Sequence, residues 1–105
     1  MRLYLKSRGN NFNAVAQYQD GMLIVLPGST VSLQFASHIR GGKTAKRYRS
    51  DPDFVSEFGE VLQPCTFKSP STAAQFVTGT SRNGYLVWKD QNKIPLKRIL
   101  ENNAE

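Results

Sequence analysis

The sequence predicts an α+β fold, a small antiparallel sheet of about four to five strands with two or three short helices packed on one face. Apolar and polar residues alternate in strand-length runs through the first part of the chain. Asp20-Gly21 separates two of these runs and is the strongest signal for a tight hairpin. The second part carries short apolar stripes at helical spacing, next to residues that cap helices.

Length and composition indicate one domain over residues 1–105, because 105 residues are enough for one hydrophobic core and not for two. The chain is 39% hydrophobic and 21% charged, which is typical of a folded domain and excludes a disordered one. No apolar run approaches the ~20 residues of a membrane span, and the first residues show no secretory signal. Cys65 is the single cysteine and cannot form an internal disulfide. We therefore expect a cytoplasmic protein without a membrane partner.

Three strands are predicted in the first part of the chain, over residues 2–6, 13–19 and 22–26. In the first strand Leu3 and Leu5 alternate with polar residues, so one face should be buried. The third strand is apolar throughout, which favours a central position in the sheet, and Pro27-Gly28 ends it in a turn.

The middle of the chain carries weaker patterns. Alternation over residues 30–39 favours another strand. Residues 38–50 are polar and basic and predict a flexible loop, with a helix over residues 44–48 as the alternative. A short helix should follow, capped by Ser50 or Asp51, ended by Gly59, and packed through Phe54, Val55 and Phe58.

The best-specified element is a helix that starts after Ser69. The Ser69 hydroxyl can cap the first turn, and Pro70 suits the first helical position because its missing N–H costs nothing there. Gly79 suits the left-handed residue that ends a helix. The apolar face of this helix is expected to comprise Ala73, Phe76 and Val77, and the small side chains of Ala73 and Ala74 suggest close approach to a sheet.

The last third of the chain is expected to alternate between short elements. Residues 65–67 are predicted to be extended, and Arg82-Asn83-Gly84 predicts a turn in which Asn and Gly supply positive φ. An aromatic strand should follow over residues 85–89, and a last helix over residues 96–100. Trp88 has two interpretations, a core residue packed on the preceding helix or an exposed recognition residue.

The sequence contains no recognisable catalytic or metal site. One histidine and one cysteine cannot supply a metal-binding set of spaced ligands. A His38–Cys65 dyad has no local support, and Gly41-Gly42-Lys43-Thr44 lacks the upstream glycine of a phosphate-binding loop. We therefore expect a protein that is not an enzyme, with no metal and no cofactor.

The positive charge points instead to binding. The net charge is +6, and residues 1–50 hold eight bases and one acid, or +7. Such a cluster suits a polyanion, although a solvated loop has the same composition. The candidate nucleic-acid-binding residues form two groups. The first is the cluster Arg40, Lys43, Lys46, Arg47, Tyr48 and Arg49. The second surrounds the predicted aromatic strand and comprises Arg82, Asn83, Tyr85, Trp88 and Lys89.

Three motifs resemble a small bacterial domain of unknown function that is found C-terminal to GIY-YIG nuclease domains and in restriction–modification neighbourhoods. Residues 21–29 are similar to its Val-Leu-x-Gly-Ser segment. The second motif is Ser69-Pro70-Ser71-Thr72-Ala73-Ala74. The third has the form Gly-x-Ser-x-Asn-Gly-aromatic…Trp-Lys, and its matching positions include Gly79, Gly84, Trp88 and Lys89. The resemblance covers about residues 13–100 and departs at Tyr85, where the family usually has Trp.

This pattern is also similar to the RAMA domain, which is tied to restriction systems and proposed to read modified DNA. The resemblance implies an accessory role, in agreement with a sequence that contains no recognisable catalytic site. We therefore expect a non-catalytic nucleic-acid-binding module, with DNA as the first candidate ligand, that serves a nuclease or methyltransferase system. A protein–protein docking domain of such a complex is the alternative, and a small hydrolase using His38 or Cys65 is the third.

Overall fold

Four antiparallel strands form a sheet whose order follows the chain in this computed structural model, which describes residues 1–35 and 42–102. The strands are β1 (Arg2–Lys6), β2 (Asn13–Gln19), β3 (Met22–Val25) and β4 (Cys65–Phe67). The helices of the described ranges are α1 (Lys43–Ser50), α2 (Pro70–Thr78), α3 (Gly84–Val87) and α4 (Leu96–Asn102). The predicted α+β class with an antiparallel sheet is therefore confirmed.

The β2–β3 hairpin forms at the predicted turn. Asp20 and Gly21 have φ angles of 53° and 79°, as a two-residue turn with two left-handed positions requires. The turn sets the register in which Tyr18 pairs with Leu23. Each strand consequently places its buried apolar residues on the same side of the sheet, where Leu3, Leu5, Leu23 and Val25 lie.

Helix α2 covers this apolar face where β3 meets β4. Ala73, Ala74, Phe76 and Val77 are fully buried, and the rings of Phe76 and Phe67 lie 5.1 Å apart. The small side chains of the two alanines let the helix lie close to the sheet, and the rings of Phe67 and Phe76 fill the space beside them. The apolar face predicted for this helix is therefore its core-facing side.

Both predicted ends of α2 are confirmed. The Oγ of Ser69 accepts a hydrogen bond from the backbone N–H of Thr72 at 3.2 Å, and Pro70 is the first helical residue. Gly79 ends the helix with φ 77°. A Cβ at Gly79 would overlap the carbonyl oxygen of Gln34, so both the left-handed backbone and the close approach require glycine.

The strand predicted over residues 85–89 is wrong, because residues 84–87 form α3. The side chain of Asn83 accepts a hydrogen bond from the N–H of Tyr85 at 3.0 Å and thereby caps the short helix. Asn83 has φ −80°, so the predicted turn with positive φ at this residue is also wrong. Trp88 has extended backbone angles, and Lys89 lies beside the sheet, where its backbone pairs with that of Tyr4.

The strand predicted from residue 30 onwards is also wrong over the described residues 30–35. Thr30 makes isolated backbone bridges to Asn13 and Glu60, and the next amides donate to carbonyls outside the sheet. Leu33 is 72% exposed, so the apolar–polar alternation does not mark a buried strand face. Residues 36–39 of this prediction lie outside the described residues.

Residues 51–59 form turns instead of the predicted short helix. The Oδ1 of Asp51 accepts from the N–H of Asp53, and the Oγ of Ser56 accepts from two later amides. These local side-chain bonds compete with helical hydrogen bonds. Phe58 is 79% exposed, so it contributes nothing to the predicted apolar face.

The remaining elements agree with the predictions or with their stated alternatives. The extended piece at residues 65–67 is β4, and the last helix is α4. Residues 43–50, predicted as part of a loop with a helix as the alternative, form α1. Within residues 1–35 and 42–102, every helix is too short or too polar to cross a membrane.

Candidate functional site

The predicted cluster on residues 40–49 separates into surface and core residues. Lys43, Lys46 and Arg47 are exposed on α1. Arg49 is partly buried, and its Nε donates to the backbone carbonyl of Phe76 at 2.8 Å. Its guanidinium lies 4.7 Å from the centre of the Phe35 ring, and burial lowers the pKa of Arg49 to about 10. Arg49 thus holds α1 against α2. Arg40, the remaining base of the predicted cluster, lies outside the described residues.

Tyr48 is partly buried and packs against the core. Its ring makes edge-on contacts with Phe54, Phe67 and Phe76, with ring centres 5.0, 5.4 and 6.1 Å away. Its hydroxyl accepts a hydrogen bond from the N–H of Thr66 at 3.2 Å. These contacts hold Tyr48 against the core, and stacking of its partly buried ring on a base stays a prediction.

Trp88 is completely buried, and its Nε1–H donates to the carbonyl oxygen of Pro70 at 3.0 Å. The core interpretation of Trp88 is confirmed, and the interpretation as an exposed recognition residue is wrong. The indole joins the start of α2 to the residue that follows α3, so it positions the loop between these helices.

Two residues of the second predicted group line an open groove. Arg82 and Lys89 belong to its wall, and the groove has a volume of about 660 Å³. Three further cations line it, two of them from the start of the chain, and the lining contains one carboxylate, that of Asp90. The five cations of this basic groove are Lys6, Arg8, Arg82, Lys89 and Lys93.

Pairing between β1 and Lys89 brings these cations together. The N–H of Tyr4 donates to the carbonyl of Lys89 at 2.7 Å, and the N–H of Lys89 donates back at 3.1 Å. The end of β1 and its following loop therefore lie beside residues 89–93. No local signal marks Lys6 or Arg8 as site residues, since only this long-range contact brings them beside Lys89. Lys93 lies near Lys89 in the sequence, but it is not among the predicted site residues.

The carboxylate of Asp90 is engaged in the turn that carries Lys93. Its Oδ1 accepts from the backbone N–H of Asn92 at 2.9 Å and of Ile94 at 3.0 Å. Lys93 adopts a left-handed backbone with φ 65°. These bonds shape the turn, and one carboxylate is too few to neutralise five cations, so the groove has a net positive charge.

Arg82 is tethered to α2 through a chain of hydroxyl groups. Its Nε donates to the Oγ1 of Thr80 at 3.0 Å. The N–H of Thr80 in turn donates to the Oγ1 of Thr78, and that hydroxyl donates to the carbonyl of Ala74 at 2.8 Å. The guanidinium is exposed but oriented, which lowers the entropy cost of holding an anion.

The groove also has an apolar lining. Tyr4 and Phe12 contribute two aromatic rings from the β1–β2 side, and Leu86 and Val87 contribute aliphatic side chains from α3. Leu86 is 48% exposed, whereas Tyr4 and Phe12 are partly buried. The sequence did not single out this apolar set, because its members come from separate elements.

The other predicted residues around α3 lie outside the groove lining. Asn83 is exposed and caps α3, and Tyr85 is 38% exposed. The motif residues of this region join the two helices, since the Oγ of Ser71 accepts from the N–H of Gly84 at 2.9 Å. A Cβ at Gly84 would overlap the backbone of Pro70 and Ser71, so close packing of α2 and α3 requires glycine there.

The described residues contain no group of three histidine, cysteine or acidic side chains that could hold a metal ion. Cys65 is fully buried, and burial raises the pKa of its thiol to about 12. Its Sγ donates to the carbonyl of Gln63 at 3.4 Å. Cys65 is consequently a protonated core residue at neutral pH, and His38 lies outside the described residues.

Comparison with known proteins finds one family model, whose description is "Domain of unknown function (DUF4357)" and which matches residues 3–100. No curated protein and no solved structure matches the chain. The matched range includes most of β1, the other three strands, the groove and most of α4.

Proposed function

The chain belongs to the DUF4357 family of domains of unknown function, and we propose that it is a non-catalytic nucleic-acid-binding module whose ligand is DNA. The observation that carries this proposal is the basic groove, in which five cations and one carboxylate surround an apolar lining. A polyanion binds favourably to such a site, because the fixed positive groups of the protein replace the counterions condensed around its phosphates.

The exposed cations of α1 supply a second set of phosphate contacts in this proposal. Lys43, Lys46 and Arg47 are exposed on α1, and none of them lines the groove. Contacts outside the groove would position the ligand without reading its sequence. We propose that the groove holds the recognised part of the DNA and that α1 adds affinity.

The biological setting of the proposal rests on the resemblance of the three motifs. The domain that these motifs resemble is one found beside GIY-YIG nuclease domains and in restriction–modification neighbourhoods, and the resemblance implies the same setting here. We therefore propose an accessory role in the cytoplasm, in which this domain places a nuclease or methyltransferase on DNA. The groove would supply binding, and the partner protein would supply chemistry.

The test is DNA binding by fluorescence anisotropy at low and moderate salt, with an Arg82→Glu, Lys89→Glu variant. We expect the affinity of the unchanged protein to fall steeply with salt, with a slope of about 0.7 to 0.9 per phosphate contact. The variant should lose most of the binding and show a shallower slope.

The matched control is a Lys97→Glu, Arg98→Glu variant, which makes the same change of charge on exposed residues of α4 outside the groove lining. It should bind nearly as well as the unchanged protein. Equal losses in the two variants would mean that net charge alone attracts DNA, and the groove assignment would then be wrong.

A second candidate function, docking onto a protein, is favoured by an exposed apolar pair. Leu33 and Phe58 are 72% and 79% exposed, and both lie next to Gly59, whose carbonyl accepts from the N–H of Val31 at 2.8 Å. Exposed apolar side chains in one place are typical of contact surfaces. A Leu33→Ser, Phe58→Ser variant should then lose binding to the purified nuclease or methyltransferase of the same system and keep its binding to DNA.

A further inference from the structure

We propose that the basic groove takes an unpaired segment of DNA, with a base against Tyr4 and Leu86 and the flanking phosphates at the groove cations. This inference rests on the proposed nucleic-acid function and names its substrate class. It makes single-stranded DNA, and not a paired duplex, the preferred ligand of the domain.

The first argument is the chemistry of the lining. A paired duplex presents phosphates, sugars and base edges, and its apolar base faces are stacked inside. Apolar side chains of the groove lining therefore have little to contact on a duplex; they include Tyr4, Phe12, Leu86 and Val87. An unpaired base exposes both faces and can stack on an aromatic ring between positive groups.

The second argument is the rigidity of the Tyr4 platform. On one side, Tyr4 pairs with Val15 in the β1–β2 ladder, and on the other its backbone makes two hydrogen bonds to Lys89. Leu3 and Leu5, its neighbours along β1, point into the core. The side chain of Tyr4 therefore lies on the opposite face of the sheet from Leu3 and Leu5, on a strand that is hydrogen-bonded on both sides. A base that stacks on the ring would consequently require little further ordering of the chain.

The third argument is the placement of charge around the apolar lining. Lys6 and Arg8 come from the end of β1 and its loop, while Lys89 and Lys93 come from the segment that pairs with β1. The volume of about 660 Å³ lies in the usual range of sites for molecules of nucleotide size. An unpaired strand crossing the groove can therefore place a base on Tyr4 and neighbouring phosphates near these cations.

The test compares three labelled probes of about ten nucleotides, an oligothymidylate, a duplex of mixed sequence and an oligouridylate, by fluorescence anisotropy. We expect the oligothymidylate to bind most tightly. Tyr4→Leu should weaken its binding about 5- to 150-fold, which is the range for losing one base–aromatic stack, while Tyr4→Phe should retain it. The weaker binding of the duplex should be nearly unaffected by Tyr4→Leu, because no base reaches the ring.

Phe58→Leu is the matched control, because it replaces an aromatic ring that is 79% exposed outside the groove lining. Leu86→Asp provides a second variant whose exposed position spares the core, and it should weaken oligothymidylate binding by placing a carboxylate beside the base. Thermal unfolding followed by circular dichroism verifies that each variant is folded at the temperature of the binding experiment.

The outcomes separate the inference from the proposed function. A duplex that binds at least as tightly as the oligothymidylate, or equal binding by Tyr4→Leu and Tyr4→Phe, would overturn the single-strand inference and leave DNA binding intact. Tighter binding of the oligouridylate would overturn the choice of DNA. No salt-sensitive binding of any probe would overturn the proposed function itself.

Discussion

The indole N–H of Trp88 and the carbonyl oxygen of Pro70 form a buried hydrogen bond of 3.0 Å between the end of α3 and the first turn of α2. The side chain of Trp88 has no exposed surface. Trp88 is the single tryptophan of the chain, so its fluorescence reports whether these helices are packed. It is a probe of folding, and a ligand in the groove has no direct access to it.

Replacing Trp88 should destabilise the fold. Trp88→Phe removes the hydrogen bond to Pro70 and leaves part of the indole volume empty, so we expect a loss of about 1–3 kcal/mol in the free energy of unfolding. Urea unfolding followed by far-ultraviolet circular dichroism measures this, since the variant has no tryptophan to observe. Phe58→Leu, at an exposed position, should change the stability by less than about 0.5 kcal/mol. Equal midpoints for Trp88→Phe and the unchanged protein would contradict the packing role.

Gly84→Ala should be more damaging than Gly21→Ala. A Cβ at position 84 would overlap the backbone of Pro70 and Ser71, and backbone atoms cannot move aside as a flexible side chain does. We expect a loss of about 3 kcal/mol or more. Gly21→Ala is the control, because it meets no atom within 4 Å and has only the strain of φ 79°, about 1–2 kcal/mol. Chemical denaturation of both variants gives the comparison, and a smaller loss at Gly84 would argue against tight contact between α2 and α3.

The thiol of Cys65 should be unreactive in the folded protein. Burial raises its pKa to about 12 from a reference value of 9.0, and reagents attack the thiolate. A chromogenic disulfide reagent at pH 8 should label Cys65 slowly in the native protein and rapidly in concentrated urea. Fast labelling without urea would show that the residue is accessible.

The same raised pKa makes stability depend on pH in the alkaline range. The unfolded thiol loses its proton above pH 9 and the folded thiol only near pH 12, so ionisation favours the unfolded chain between these values. The contribution of Cys65 is therefore complete below pH 9 and declines as the pH rises towards 12. Urea unfolding at pH 8 and pH 10 should show a larger loss for the unchanged protein than for Cys65→Ala. Parallel losses would contradict the burial effect.

Charge reversal on α1 should weaken DNA binding in a way that does not depend on the type of strand. Lys46→Glu, Arg47→Glu alters exposed positions outside the groove lining, so single-stranded and duplex probes should lose similar affinity. The salt slope should fall by about 0.7 to 0.9 for each phosphate contact removed. Unchanged binding would mean that α1 is an ordinary solvated helix, which is the alternative that its composition allows.

This variant needs a stability control as well, because Arg47 lies in the last turn of α1, where a cation favours the helix dipole. Thermal unfolding should show a loss of up to about 1 kcal/mol, too small to unfold a domain of ordinary stability. A large drop in the unfolding temperature would instead make the binding result a consequence of misfolding.

Features confined to a few neighbouring residues could be predicted from the sequence. The Asp20-Gly21 turn has the left-handed angles that its residue types favour, and α2 begins at Pro70 after Ser69 and ends at Gly79. In each case the decisive hydrogen bond or backbone angle lies within the local segment. Such signals do not depend on how distant parts of the chain are arranged.

Local patterns failed where a side chain or a distant contact outweighed them. Residues 85–87 have strand-like composition, yet the cap at Asn83 and the tight fit of Gly84 against α2 make them helical. The apolar–polar alternation after Thr30 does not form a strand, because the amides of the next residues donate to carbonyls outside the sheet. Leu33, which belongs to this alternation, is exposed to solvent. Propensity is a weak preference, and tertiary hydrogen bonds and packing override it.

The sequence by itself determined the fold class, the hairpin, the capped helix α2 and the excess of positive charge. Only the tertiary structure decided which of the positively charged side chains lie together. It placed Trp88 in the core and Tyr48 against it, and it assembled the groove by pairing Tyr4 with Lys89 from opposite ends of the chain. The physical reason is that caps and turns depend on neighbours along the chain, whereas a binding site depends on which distant backbones form hydrogen bonds.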